Sequence, residues 1–177
     1  MNMEPVRFGV IGCGLMGREF ASVSMRWLHL ACELPRPVIV AACDLSPKNL
    51  DWFRQVPDTK YFYSDYHELL ANPEVEAVYC AVPHHLHAQV YGDVIRAGKH
   101  LIGEKPFGMD LAACEEVEAA MAGRPEVFVR CASEFPFYPA VQQMVKWYRE
   151  GAFGQIIEAR FAIKHSSDMD LAKTINW

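Results

Sequence analysis

VRFGVIGCGLMG, residues 6–17, sets three glycines in the pattern G-x-G-x-x-G directly after a short apolar run. The run predicts a β-strand at 6–11, and the residues after it open a predicted helix. In such a turn the first glycine allows a tight bend, the second lets backbone approach a pyrophosphate, and the third lets helix and strand pack closely. Unpaired amides at the helix N-terminus attract an anion. The segment therefore predicts a dinucleotide-binding turn made by Gly12, Cys13, Gly14, Leu15, Met16 and Gly17.

Short apolar runs continue to alternate with segments of helical periodicity along the chain. Further strands are predicted at 38–43, 75–82, 100–103 and 127–131, and helices at 15–33, 46–55, 85–97 and 110–121. Ser46-Pro47 and Asp110 precede two of these helices, while Gly98 and Gly123 follow two, which is typical of helix boundaries. The alternation predicts an α/β fold over residues 1–132, a Rossmann-type, doubly wound parallel sheet.

The composition changes after residue 132. The segment 134–139 reads EFPFYP, and it is followed by a predicted helix at 140–149 and a predicted strand at 155–164. A lone strand is not stable, so we expect a neighbouring strand from another chain or a further segment. Residues 133–177 are predicted to be the incomplete start of a C-terminal α/β domain for substrate binding and dimerisation. The unpaired strand edge favours a homo-oligomer.

Charge and hydropathy exclude several classes of partner. The chain has 17 basic and 22 acidic side chains, so it lacks the basic surface that a nucleic acid requires. No apolar run approaches the length of about 18 residues that spans a membrane. Glu4 and the absence of a basic segment before the first apolar run argue against a signal peptide. We expect a cytoplasmic protein that acts on a small molecule.

The cysteines are scattered without a C-x-x-C pair, which is typical of buried thiols in a reducing compartment rather than of disulfides or zinc ligands. They are Cys13, Cys32, Cys43, Cys80, Cys114 and Cys131. Several large side chains occur at helical spacing with other apolar residues and are predicted to pack in the interior. These are Met109, Met121, Met144, Trp147 and Tyr148.

Asp44 ends the strand predicted at 38–43. A carboxylate at this position can accept hydrogen bonds from the adenosine ribose hydroxyls and repel a 2′-phosphate, which favours NAD over NADP. Two alternatives remain open. Asp44 could instead cap the helix that begins near Ser46, and Lys48 could meet a 2′-phosphate, so NADP is the second candidate cofactor.

Glu104-Lys105-Pro106 follows the strand at 100–103, at the edge where ligands of open α/β sheets bind. A lysine there can hold a substrate hydroxyl or carbonyl oxygen and stabilise charge as hydride moves. Pro106 would fix the local backbone, for which a cis bond is one option. The alternative is a surface ion pair between Glu104 and Lys105, which would contribute little to the stability of the fold.

Three histidines follow the strand at 75–82, in the segment Val82-Pro83-His84-His85-Leu86-His87. Imidazoles are frequent metal ligands. No Cys, Asp or Glu nearby completes a coordination shell at familiar spacing, so we expect no metal site. The segment is interpreted as a loop that enters a helix over the cofactor.

Taken in order, these motifs resemble the Gfo/Idh/MocA family, which includes glucose-fructose oxidoreductase and inositol dehydrogenase. The resemblance is carried by the glycine turn, by Pro83 with His87, by Glu104-Lys105-Pro106, and by FYP at 137–139 with Gly151-x-x-Gly154. It implies that the glycine turn binds the pyrophosphate and that Asp44 holds the ribose. It also implies that Lys105 lies in the active site, that Glu104 lies near the nicotinamide ribose, and that Pro83 and His87 border the cofactor.

Two segments depart from the family pattern. Where T-P-N-x-x-H is usual, His84 replaces the asparagine, and EFPFYP at 134–139 lacks the arginine of N-x-R-F-x-P. The family's D-x-x-x-H motif, which supplies the acid or base, is not present, so we expect a partial chain that binds cofactor with little or no turnover.

The resemblance implies an NAD(P)-dependent oxidoreductase of sugar or polyol substrates. Two other classes stay open. The first is a non-catalytic dinucleotide-binding or dimerising module. The second is an S-adenosylmethionine-dependent methyltransferase, which would share a glycine-rich turn and an acid after the second strand but would not explain Glu104-Lys105-Pro106.

Overall fold

The computed structural model of the chain describes residues 3–30, 33–162 and 164. The chain divides into two units, Met1–Ala132 and Ser133–Trp177. The first unit contains a six-stranded sheet with helices between its strands, and the second contains a single α-helix among its described residues.

The sheet has the strand order β3-β2-β1-β4-β5-β6, and all five neighbouring pairs are parallel. This arrangement confirms the predicted Rossmann-type α/β fold. The order reverses between β1 and β4, which is where open α/β sheets bind ligands, beyond the carboxyl ends of the strands. The strands are β1 (Val6–Ile11), β2 (Pro37–Cys43), β3 (Tyr61–Tyr63), β4 (Ala77–Cys80), β5 (His100–Glu104) and β6 (Val129–Ala132).

The helices begin where the sequence supplies suitable boundary residues. The Asp65 side chain accepts a hydrogen bond from the His67 amide, and the Asp110 side chain accepts one from the Ala113 amide at 2.9 Å. Short 3-10 helices occupy Trp27–His29, His84–Leu86 and Phe135–Phe137. The α-helices are α1 (Leu15–Ser24), α2 (Pro47–Phe53), α3 (Tyr66–Ala71), α4 (His87–Arg96), α5 (Leu111–Ala122) and, in the second unit, α6 (Pro139–Arg149).

Two apolar clusters cover the two faces of the sheet. One contains Leu69 of α3, Tyr91 of α4 and Val117 of α5, packed against strand residues such as Val78. The other contains Ala21 of α1 and Phe53 of α2, with Val10 and Tyr79 from the strands. The central strands are buried on both faces, as expected for a parallel sheet between two helix layers.

Several predicted boundaries in the first unit need correction. The helix predicted at 15–33 ends at Ser24, because the Arg26 amide donates to the Val23 carbonyl at 2.9 Å and tightens the last turn. The Ser24 hydroxyl also donates back to the Ala21 carbonyl at 2.8 Å. β3 and α3 were not predicted, because elements of three and six residues carry too little periodicity to be recognised.

The strand predicted at 155–164 is wrong for the residues that the structure describes there. Residues 155–162 and 164 form no strand, and no described segment of the chain pairs with them. The prediction that the large side chains named above are interior also fails in part. Met121 packs partly against the core, whereas Met109, Met144, Trp147 and Tyr148 are exposed.

The described cysteines are all free thiols. Cys13, Cys43 and Cys80 are buried as predicted, whereas Cys114 and Cys131 are half-buried, and Cys32 lies outside the described residues. Burial raises the pKa of the Cys43 and Cys80 thiols to about 12. None of the helices in the described parts of the chain is long and apolar enough to cross a membrane.

We expect Leu101→Ala to lower the free energy of unfolding by about 2–5 kcal/mol, because Leu101 is fully buried in β5 and its truncation leaves a cavity. Leu111→Ala, at a position that is 73% exposed, is the matched control and should change stability by less than about 0.5 kcal/mol. Urea denaturation followed by circular dichroism measures both. Equal losses in the two variants would contradict the assignment of the core.

Candidate cofactor-binding site

The carboxyl ends of β1, β4 and β5 lie next to one another along one edge of the sheet. The glycine turn follows β1, the histidine segment follows β4, and Glu104-Lys105-Pro106 closes β5. The sequence prediction required Lys105 to share an edge with the glycine turn, and the parallel pairing puts it there, two strands away.

At two positions of the turn, close contacts with the backbone leave room only for glycine. Gly12 has a φ of 92°, and a Cβ on it would lie 2.4 Å from the Ala81 carbonyl oxygen. A Cβ on Gly17 would lie 2.2 Å from the Gly12 carbonyl oxygen. Gly14 differs, because a Cβ there would meet nothing within 4 Å. The open space over Gly14 leaves room for a ligand group to approach the backbone.

The amides of the turn are divided between internal bonds and open positions. The Gly12 amide donates to the Cys43 carbonyl at 2.9 Å, and the Cys13 amide donates to Asp44 Oδ2 at 2.7 Å. α1 starts at Leu15 with no side-chain cap and no acidic residue in its first turn. First-turn amides have no partner within a helix, and both Leu15 and Met16 are exposed. These features fit an anionic group such as a diphosphate.

Asp44 connects the glycine turn to the start of α2. Its Oδ2 accepts from the Cys13 amide and from Asn49 Nδ2 at 3.2 Å, and its Oδ1 accepts from the Ser46 amide at 2.7 Å. The contact of Asp44 with the start of α2 is a hydrogen bond from the amide of Ser46, the N-cap residue, and no side chain caps α2 itself. It does not exclude ribose binding, because a carboxylate accepts about four hydrogen bonds and Asp44 is only half-buried.

Glu104 is a buried carboxylate held by a tyrosine that sequence analysis missed. The Tyr79 hydroxyl donates to Glu104 Oε1 at 2.5 Å, and the Lys105 amide donates to Oε2 at 3.2 Å. Burial first, and then the hydrogen bond to Glu104, raises the pKa of Tyr79 well above its ordinary value. Nothing in the sequence signals this pair, because Tyr79 fits the apolar pattern of β4 as well as valine would.

Lys105 is exposed at the end of β5. The Lys105–Pro106 peptide bond is cis. The surface ion pair considered for Glu104 and Lys105 is not found among the described residues, since Glu104 bonds Tyr79 and the Lys105 amide instead. The lysine side chain thus reaches solvent at the same edge as the glycine turn.

Comparison with known proteins identifies the family. Residues 6–131 match the model of the Gfo/Idh/MocA family, described as an oxidoreductase family with an NAD-binding Rossmann fold. The chain belongs to this family.

Three relatives illustrate the relationship. An uncharacterized oxidoreductase of Synechocystis sp. is 42% identical over 100 residues, covering 56% of this chain and 26% of the relative. Human trans-1,2-dihydrobenzene-1,2-diol dehydrogenase is 31% identical over 159 residues, which cover 88% of this chain and 45% of the human protein. The structure of levoglucosan dehydrogenase in complex with NADH and L-sorbose superposes with a TM-score of 0.78 at 25% identity. The superposition covers 86% of this chain and 41% of levoglucosan dehydrogenase. The chain thus spans less than half the length of these relatives.

His87, which the Gfo/Idh/MocA resemblance assigned to the cofactor site, is fully buried. Its Nδ1 lies 2.6 Å from the Pro106 carbonyl oxygen, and its Nε2 lies 2.9 Å from the Val82 carbonyl oxygen. Its ring therefore links the segment after β4 to the turn after β5. Pro83 is exposed beside it and precedes the short helix His84–Leu86.

His84, which stands where this family usually has asparagine, is half-buried near Lys105 and Glu104. Its ring centroid lies 5.3 Å from that of His87. Burial lowers the pKa of His84, the electrostatic effects of His87 and Lys105 lower it further, and Glu104 opposes the shift. In the described parts of the chain, no group of three or more His, Cys, Asp or Glu side chains could hold a metal ion.

We expect the pKa of His84 to rise toward its ordinary value in Lys105→Met, because this variant removes the lysine whose electrostatic effect helps to lower it. NMR titration of the imidazole protons measures the shift. Lys60→Met, which alters a lysine that pairs with Glu74 beside β3, is the control and should leave the His84 titration unchanged. An unchanged midpoint in Lys105→Met would show that the two side chains are not neighbours.

Proposed function

We propose that this chain binds NAD(H) along the edge formed by β1, β4 and β5. The observation that carries the proposal is the open space over Gly14, next to unpaired amides of α1 and on the same edge as Lys105. In this assignment the glycine turn, residues 12–17, holds the pyrophosphate, and the free lone pairs of Asp44 accept the adenosine ribose hydroxyls. Glu104 and Lys105 then lie at the nicotinamide end.

We propose further that the whole protein oxidises or reduces a sugar or polyol. Levoglucosan dehydrogenase, which binds NADH and L-sorbose, supports this substrate class. The bound cofactor supplies or accepts the hydride, and Lys105 holds the substrate oxygen and stabilises its developing charge. Pro83 and the loop that His87 fixes border the cofactor. Residues 133–177 would begin the domain that binds substrate and joins two copies of the protein.

NAD is the proposed cofactor, with NADP as the alternative. Asp44 places a carboxylate beside the position that the 2′-phosphate of NADP would take, which favours NADH over NADPH without excluding NADPH. A non-catalytic module that binds the same cofactor is the second candidate function. All the proposed cofactor contacts come from residues 12–105, so binding of the cofactor does not itself require catalysis. The methyltransferase alternative has no support, because the matching family consists of oxidoreductases.

Saturable binding of NADH to the purified chain is the first expected result, measured by fluorescence or calorimetric titration. Asp44→Ala should weaken it by about tenfold or more, since it removes a charged hydrogen-bond acceptor and also frees the Cys13 amide. Asp51→Ala, which removes an exposed acid of α2 paired with Arg54, should leave NADH affinity within about twofold. No binding at millimolar NADH would overturn the proposed function.

In the whole protein, Lys105→Met should leave NADH affinity within about threefold while abolishing polyol-dependent reduction of NAD, because the lysine acts on the substrate oxygen rather than on the dinucleotide. Absorbance of NADH follows the reaction, with several polyols offered as substrates. Wild-type turnover in Lys105→Met would contradict the assigned role. Binding of NADH without turnover in the whole protein would favour the non-catalytic module.

A further inference from the structure

Arg18, one residue beyond the glycine turn, carries a hydrogen-bond donor that nothing in the described structure uses. Its Nε is buried and has no partner, the only such buried side-chain atom among the described residues. The rest of the guanidinium is held in place: Nη2 donates to Asn49 Oδ1 at 3.1 Å, and the group lies 5.2 Å from the centre of the Trp52 ring. The side chain is thus held by Asn49 and Trp52, and its Nε is a buried donor without a partner among the described residues.

Asn49 joins Arg18 to the proposed ribose-binding carboxylate. The Asn49 amide accepts from Arg18 through its oxygen and donates to Asp44 Oδ2 through its nitrogen, so the two contacts also fix the orientation of the amide. A guanidinium and a carboxylate therefore lie on either side of one amide group. Both charges act on the Cys13 thiol, whose pKa is raised by burial and Asp44 and lowered by Arg18.

This arrangement weakens the usual argument that an acid after the second strand excludes a phosphate. The charge of Asp44 is already compensated by two backbone amides and by Asn49. The guanidinium stays charged at any physiological pH and presents its donors in a rigid plane that suits a phosphate.

We propose that Arg18 is the specificity-determining residue at the adenosine end, where it binds the 2′-phosphate of NADP(H) and lets the chain accept NADPH beside NADH. The proposal rests on the proposed cofactor site. It assigns the phosphate to Arg18 rather than to Lys48, the other cation near Asp44. Lys48 is exposed on α2, whereas Arg18 is fixed by Asn49 and Trp52.

The test compares NADPH and NADH titrations of the wild-type chain with those of Arg18→Met and Lys48→Met. Methionine keeps an unbranched stem against Trp52 but removes the charge and all donors. Arg18→Met should weaken NADPH binding by about tenfold or more and NADH binding by less than about threefold. Arg18→Lys keeps the charge and should recover part of the NADPH affinity. Lys48→Met should change either affinity by less than about threefold.

Each other outcome has a distinct meaning. Wild-type binding of NADH without measurable NADPH binding overturns the role of Arg18 and leaves the proposed function standing. Equal weakening of both nucleotides in Arg18→Met shows a purely structural role and also overturns it. Selective loss of NADPH binding in Lys48→Met would show that Lys48, and not Arg18, binds the 2′-phosphate, which overturns the role of Arg18. Binding of neither nucleotide by the wild-type chain overturns the cofactor site itself.

Discussion

The ends of three strands meet at Gly12, and the candidate site depends on how closely they meet. The Gly12 amide donates to the Cys43 carbonyl at the end of β2. The amide of Ala81, the residue after β4, donates to the carbonyl of Ile11 at the end of β1. The Ala81 carbonyl occupies the space that a Cβ of Gly12 would need. Because Gly12 has no side chain and has a positive φ, the chain turns immediately after β1 and enters α1 with its amides facing the strand ends.

The two carboxylates at this edge are held in different ways, which fits two different tasks. Asp44 is half-buried and bonded to backbone and amide donors, so it fixes the shape of the glycine turn while keeping lone pairs for a ligand. Glu104 is buried against Tyr79, whose ring stacks on Phe20 of α1 at a centroid distance of 4.2 Å. A variant at either acid therefore alters the backbone around the site as well as the charge.

Local patterns predicted much of this fold and site. The glycine turn directly follows β1 and Asp44 directly follows β2, so periodicity and glycine chemistry identify each of them from a short stretch of sequence. The contacts of Arg18 with Asn49 and of Tyr79 with Glu104 join residues 31 and 25 positions apart, so no local pattern could reveal them. The strand expected at 155–164 failed for a related reason. Its β-branched and aromatic composition is compatible with a strand, but strand formation depends on a neighbour that composition does not supply.

α4 determines where Lys105 stands. His87 and Tyr91 lie one turn apart on this helix, with their ring centroids 4.7 Å apart. The Tyr91 hydroxyl donates to the Glu104 carbonyl at 2.7 Å, and His87 Nδ1 lies 2.6 Å from the Pro106 carbonyl, so the peptide group before Lys105 and the one after Pro106 are both held by residues of α4. The lysine backbone is therefore positioned without using its own side chain. An exposed lysine on a rigid backbone suits the contact with a substrate oxygen that we propose for it, because little reorganisation would be needed during a reaction.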